Sequence, residues 1–166
     1  MSDHDMSDHN NTPAVSPPTS PALRARTSTG RWERVDLMQY KQEGSAPFKD
    51  ISRQVLFDDP ALAAQVRYFE MQPGGYSTLE RHEHLHAVII LRGRGRCLVG
   101  NEVLDVAQHD LVHIPVMTWH QFRANGTEPL GFVCVVNAAR DRPQLPSKAQ
   151  IAALRANPVA AAFIQV

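Results

Sequence analysis

Cysteine is scarce, charge of either sign is not in excess, and no long apolar run interrupts the chain. Each shortage removes a class of function. Cys97 and Cys134 are the only thiols in 166 residues, too few for a disulfide framework. Seventeen basic and seventeen acidic residues cancel, so the chain has no surplus charge for holding nucleic acid or an anionic membrane. The apolar runs Ala87–Leu91 and Val159–Ile164 fall far short of the roughly 20 residues that cross a bilayer. The opening MSDHDMSDHNN is polar where a secretory signal has its apolar stretch. The expectation is a cytoplasmic protein with reduced thiols and neither nucleic acid nor membrane as a partner. What is present, 43% hydrophobic residues in 18.5 kDa, suffices for the core of one domain.

Composition divides the chain into three. Residues 1–30 hold four prolines, nine Ser or Thr, and no aromatic residue. Such a segment buries too little apolar surface to offset the entropy of ordering it, and is expected to be a disordered tail. Residues 31–141 carry short stretches rich in β-branched and aromatic residues: Gln65–Met71, His86–Leu91, Cys97–Val99, Leu111–Ile114, Trp119–Ala124 and Phe132–Val136. Pro73-Gly74-Gly75, Gly93-Arg94-Gly95, Gly100-Asn101 and Asn125-Gly126 punctuate them as turns. Short strands at this spacing predict an all-β domain, an antiparallel sandwich or barrel. In residues 142–166, Ser147 is placed to cap a helix over Lys148–Ala156, and Pro158 opens a second helical piece ending near Ile164. Ala152, Ala153, Val159, Ala162 and Phe163 are expected to form the apolar stripe of this helical extension.

The chemistry concentrates in Glu80-Arg81-His82-Glu83-His84-Leu85-His86. Successive side chains of a strand alternate between faces, so Glu80, His82, His84 and His86 are expected on one face. At this chain's histidine content, three histidines at i, i+2 and i+4 arise by chance about once in fifty such chains. A solvated stripe also has no reason to run into Val88-Ile89-Ile90-Leu91. Neutral imidazoles with a carboxylate suit Fe, Mn, Ni, Cu, Zn or Co, and one divalent transition metal per chain is expected. His120, after the turn-like Pro115–Trp119, is the natural ligand from elsewhere in the chain.

These residues resemble the cupin superfamily, in its small single-domain form. The first cupin motif, G-x5-H-x-H-x3,4-E-x6-G, is matched in spacing by Gly74, Glu80, His82, His86 and Gly93. Of the second, G-x5-P-x-G-x2-H-x3-N, Pro115 and His120 are present. His109 and Met117 replace the glycines, and Asn125 comes one residue late. Glu80 occupies the first histidine position and His86 the glutamate position, so the ligand types are kept and their order is permuted. The resemblance, over roughly 67–136, implies a jelly-roll-like barrel of six to eight strands. It also implies a metal held by His82, His86 and His120 with Glu80, and a homodimer joined through sheet edges. A strand around Ser52–Phe57 is a candidate for exchange between subunits. His84 is the alternative ligand or a donor facing the pocket. Cys134 is placed by the resemblance on a late strand near the metal, as a catalytic thiol or as a buried small residue. His113, Trp119 and Phe122 are left open between pocket and packing.

A fold does not select a reaction. With iron or manganese favoured, the leading expectation is dioxygen-dependent oxidative cleavage of a small organic molecule. The first alternative is a non-oxidative lyase or isomerase, with the metal as Lewis acid and Glu80 as proton acceptor. The second is non-catalytic binding of a small ligand.

Overall fold

The computed structural model describes residues 22–166. Eleven strands and two helices follow in order: β1 (Arg26–Ser28), β2 (Arg31–Trp32), β3 (Met38–Gln39), β4 (Lys49–Asp58), β5 (Ala64–Tyr76), β6 (His86–Arg92), β7 (Arg94–Val99), β8 (Glu102–Ala107), β9 (Leu111–Ile114), β10 (His120–Arg123), β11 (Leu130–Asn137), α1 (Lys148–Arg155) and α2 (Pro158–Phe163). The six stretches singled out as strands all lie on strands, and the all-β expectation holds. The strand over Glu102–Ala107 was not singled out. Its sequence EVLDVA is half exposed, and of its apolar residues Val106 alone is buried.

Nine strands form one curled antiparallel sheet in the order β8-β7-β10-β5-β11-β6-β9, with β4 on β5 and β3 on β4. The long β5 is the spine of this sheet. It pairs with β11 from Leu130↔Met71 to Asn137↔Ala64, and on its other edge with β4. The strand offered for exchange between subunits thus pairs with β5 of its own chain. Inward residues of these strands make the core, in which Met71, Ile90, Ile114 and Leu130 are fully buried. Gly93 turns β6 into β7 at φ 73°, and a Cβ there would sit 2.2 Å from the Pro129 carbonyl oxygen. Only glycine meets both demands.

Residues 1–21 of the expected tail lie outside the described residues. Part of the remainder of that segment is tied to residues that follow it. Arg26–Ser28 pairs with Arg31–Trp32, the buried Gln54 amide donates to the Gly30 carbonyl at 2.8 Å, and Trp32 packs edge-on against Tyr68. A buried amide needs such a partner, which composition alone does not reveal.

The C-terminal helices form as expected, with Ser147 and Gln150 making a reciprocal capping box. Their buried face differs from the expected stripe. Leu154, Ala160, Phe163 and Ile164 pack with Leu79 and Leu98, while Ala152, Ala153, Val159 and Ala162 are exposed. Gln121 fastens this cover by donating to the Gln165 carbonyl and accepting from its N–H, both at 2.9 Å. No helix among the described residues is long and apolar enough to cross a membrane.

Candidate metal centre

Glu80 and His120 exchange two backbone hydrogen bonds in an isolated antiparallel bridge, which brings two remote segments together at the mouth of the barrel. The chain after Glu80 does not continue as the expected strand. Residues 83–84 bend, and the strand resumes only at His86. One face of a strand therefore does not explain why the imidazoles converge. The bend stacks the His82 and His84 rings at 3.8 Å between centroids, with His82 and His86 at 4.4 Å and His82 and His120 at 4.8 Å. An N–H of Met117 donates to the His82 carbonyl at 2.7 Å and holds the bend against the turn that leads to His120. That turn keeps glycine-like backbone without glycine, with Met117 at φ 54°, as does the turn between β8 and β9, with His109 at φ 78°.

The structure brings together all of the expected site residues. Ligating atoms of His82, His84 and His86 lie within 4.8 Å of one another, as do those of Glu80, His82 and His120. Each imidazole is oriented through Nδ1. His82 Nδ1 meets the His84 carbonyl at 2.7 Å, and His120 Nδ1 meets the Thr118 carbonyl at 2.9 Å. His84 Nδ1 meets the Asp141 carboxylate at 2.6 Å, and His86 Nδ1 meets Cys134 Sγ at 3.0 Å. In each ring Nε2 is the nitrogen left over, and in His82 and His86 it is buried with no hydrogen-bond partner. A buried ring nitrogen without a partner costs stability unless something ligates it. Partners on Nδ1 that leave Nε2 free are how metal-ligating histidines are held. The donor set fits a divalent transition metal.

Electrostatics agrees. Burial first, and then the neighbouring His120, holds His82 down to about 4 and His86 to about 2. Burial also lowers His120, against the opposing pull of Glu80. The three rings are thus neutral and able to ligate at physiological pH. Glu80 is buried, and its Oε2 accepts from Lys41, so its carboxylate already has a cationic partner. Burial pushes the Cys134 thiol up to about 12, although Arg67 and Arg140 pull the other way. Cys134 reaches His86 because it lies opposite Val88, two residues along the same face of β6.

The cluster opens on a cavity of about 1000 Å³ whose wall includes Tyr40, Phe69, Phe122 and Phe132. Phe122 therefore faces the pocket. Trp119 instead packs beneath the C-terminal helices, with Arg81 over its ring, and His113 is exposed. Sequence reasoning missed Lys41, Tyr40 and Asp141. Asp141, an acid set between Arg140 and Arg142, had some local signal, while Tyr40 and Lys41 had none.

A family model described as a cupin domain matches residues 67–136. A 1-methylthio-D-xylulose 5-phosphate methylsulfurylase of Rhodospirillum rubrum is 58% identical over 142 residues, covering 86% of this chain and 91% of that protein. The chain belongs to the cupin superfamily. Among solved cupins, a cupin 2 conserved barrel domain protein from Rhodopseudomonas palustris superposes with a TM-score of 0.83 at 62% identity, covering 87% of this chain and all of that one. A cupin-2 domain from Rhodospirillum rubrum gives 0.77 at 56% identity, over 85% of this chain and 95% of its own. In this cupin His82, His84, His86 and His120 line the cavity. Glu80 and His86 keep the residue types of the motif in permuted order.

Proposed function

We propose that this cupin is a metal-dependent enzyme that removes the methylsulfanyl group from 1-methylthio-D-xylulose 5-phosphate, or a close analogue, by chemistry that consumes no dioxygen. The observation that carries this reading is the buried set of imidazoles, capped at Nδ1 and free at Nε2, with a thiol against one of them. The substrate class is taken from the methylsulfurylase relative. Dioxygen-dependent cleavage, the leading expectation from the sequence, draws no support from that relative, and the Lewis-acid alternative is preferred.

His82, His86 and His120 would hold a divalent metal, with Glu80 or His84 completing the set. When bound, the metal supplies Lewis acidity to a carbonyl oxygen. The remaining chemistry belongs to this chain. The bond between C1 and sulfur lies next to the C2 ketone, so it can break with its electron pair left on C1. The methylsulfanyl group then passes to a thiol as a disulfide, and C1 takes a proton to become a methyl group. The balance requires a low-molecular-weight thiol as co-reactant, and the products are the 1-deoxy sugar phosphate and a methyl disulfide. Cys134 is placed to receive the group first and hand it on. A neutral imidazole committed through Nε2 carries its proton on Nδ1, so His86 donates to the Cys134 sulfur and leaves it an acceptor. The thiol that takes the methylsulfanyl group gives up its proton, and with His84 completing the metal set, Glu80, paired with Lys41, would accept that proton and pass it to C1.

The test is turnover by the metal-loaded full chain with 1-methylthio-D-xylulose 5-phosphate and a small thiol, in air and under nitrogen. Equal loss of the methylsulfanyl group in both atmospheres is expected. No consumption, or consumption only in air, would refute the proposal.

A further inference from the structure

The cavity wall across β4 and β5 carries a concentration of positive charge that the metal site does not use. Arg67 on β5 pairs in register with Cys134 on one side and Val55 on the other, and Arg53 pairs with Phe69. Arg53 and Arg67 therefore face inward beside Phe69, and Arg140, just after β11, joins them on the cavity wall. Both acids lining the cavity are engaged elsewhere. Glu80 accepts from Lys41, while Asp141 accepts from the Glu83 N–H and lies against His84. Asp58, the acid whose charge acts on Arg67, accepts from the Gln65 amide at 2.6 Å.

Among the described residues, the hydrogen bonds of these guanidinium groups go to neutral acceptors. Arg67 donates to the Gln65 side chain, Arg140 to the Asn137 carbonyl, and Arg53 to the sulfur of Met38. Arg53 Nε is buried with no hydrogen-bond partner. Burial, together with the like charges of Arg140 and Arg53, holds Arg67 down to about 10. Three cations gathered in a concave wall with a donor unspent destabilise one another unless an anion joins them. Planar guanidinium forks suit the oxygens of a phosphate, and a dianion calls for more than one.

We infer that Arg53, Arg67 and Arg140 form the subsite that binds the phosphate monoester of the substrate, on the β4–β5 side of the cavity. This deepens the function proposed above and rests on it for the identity of the sugar. The subsite sets specificity: phosphorylated sugars are taken, and their free counterparts are rejected.

The probes are D-xylulose 5-phosphate and D-xylulose, titrated calorimetrically into the metal-loaded full chain. The wild type is expected to bind the phosphate ester at least about a hundredfold tighter than the free sugar. Arg140→Gln, on an exposed residue whose loss leaves the core intact, and Arg53→Gln should each weaken ester binding about tenfold or more, with metal content unchanged. Arg140→Lys should recover part of the affinity, which a purely structural role for Arg140 would not predict. Equal affinity for the two sugars, no binding of either, or wild-type ester affinity in both glutamine variants overturns the inference. Turnover of 1-methylthio-D-xylulose 5-phosphate, measured separately, keeps the two proposals apart. Turnover without phosphate preference removes the subsite alone, and phosphate preference without turnover removes the proposed reaction alone.

Discussion

Stripped of metal and taken from pH 7 to pH 5, this cupin is expected to lose several kcal/mol of stability through its site histidines. Burial holds His82 at about 4 and His86 at about 2, so both stay neutral in the folded chain at pH 5. In the unfolded chain each ring returns to about 6.5 and takes up a proton across this window. The unfolded state then binds more protons than the folded one, so stability is full above about pH 6.5 and declines as pH falls below it. Each ring contributes about 1.36 kcal/mol per unit below 6.5, which at pH 5 is about 2 kcal/mol for one ring and about 4 kcal/mol for the pair. His120, lowered by burial as well, acts in the same direction. Domains of this size are held by about 5–15 kcal/mol in total, so the effect is large enough to read. Urea unfolding in the presence of a chelator, at pH 7 and pH 5, measures it directly. His82→Gln and His86→Gln should each reduce the difference between the two pH values by about 2 kcal/mol. A difference unchanged by both substitutions would mean that these rings are protonated in the folded protein, and the description of them as neutral donors would be wrong.

Backbone strain supplies two further tests. Gly93→Ala combines φ 73° with a Cβ 2.2 Å from the Pro129 oxygen, and should cost about 3 kcal/mol in denaturant unfolding. A loss below about 1 kcal/mol would show that the turn relaxes freely. His109→Gly should stabilise by about 0.5–1 kcal/mol, since the exposed His109 holds φ 78° without glycine's freedom. A destabilised variant would show that its side chain makes up for the strain. Cys134→Ser should keep the metal and lose most turnover of the methylthio sugar phosphate. Turnover equal to wild type would return the thiol to core packing.

The strands of the barrel were legible because apolar stretches and turn residues alternate at short intervals, and the structure follows them from Ala64 to Asn137 with the addition of β8. The helices were legible through their starts, the Ser147 cap of the first and Pro158 at the first position of the second. Their packing face was not, because two short helices joined at Asn157 present Leu154 and Phe163 inward on different axes, and a single stripe does not describe them. The histidine row illustrates the same limit at the site. Its residues do converge, but not by the alternation expected of a strand, because the chain bends at Glu83–His84. The groups that orient and charge the site come from residues 41, 118 and 141, far apart in sequence. Only the folded barrel, closed by the bridge between Glu80 and His120, brings them together.

Elemental analysis of the purified full chain after reconstitution with single divalent metals, beside His82→Ala and His120→Ala, tests the metal centre most directly. The account predicts about one ion per chain in the wild type, little in either variant, and unchanged far-ultraviolet circular dichroism in all three. No bound metal in the wild type, or wild-type metal content in both variants, would contradict it.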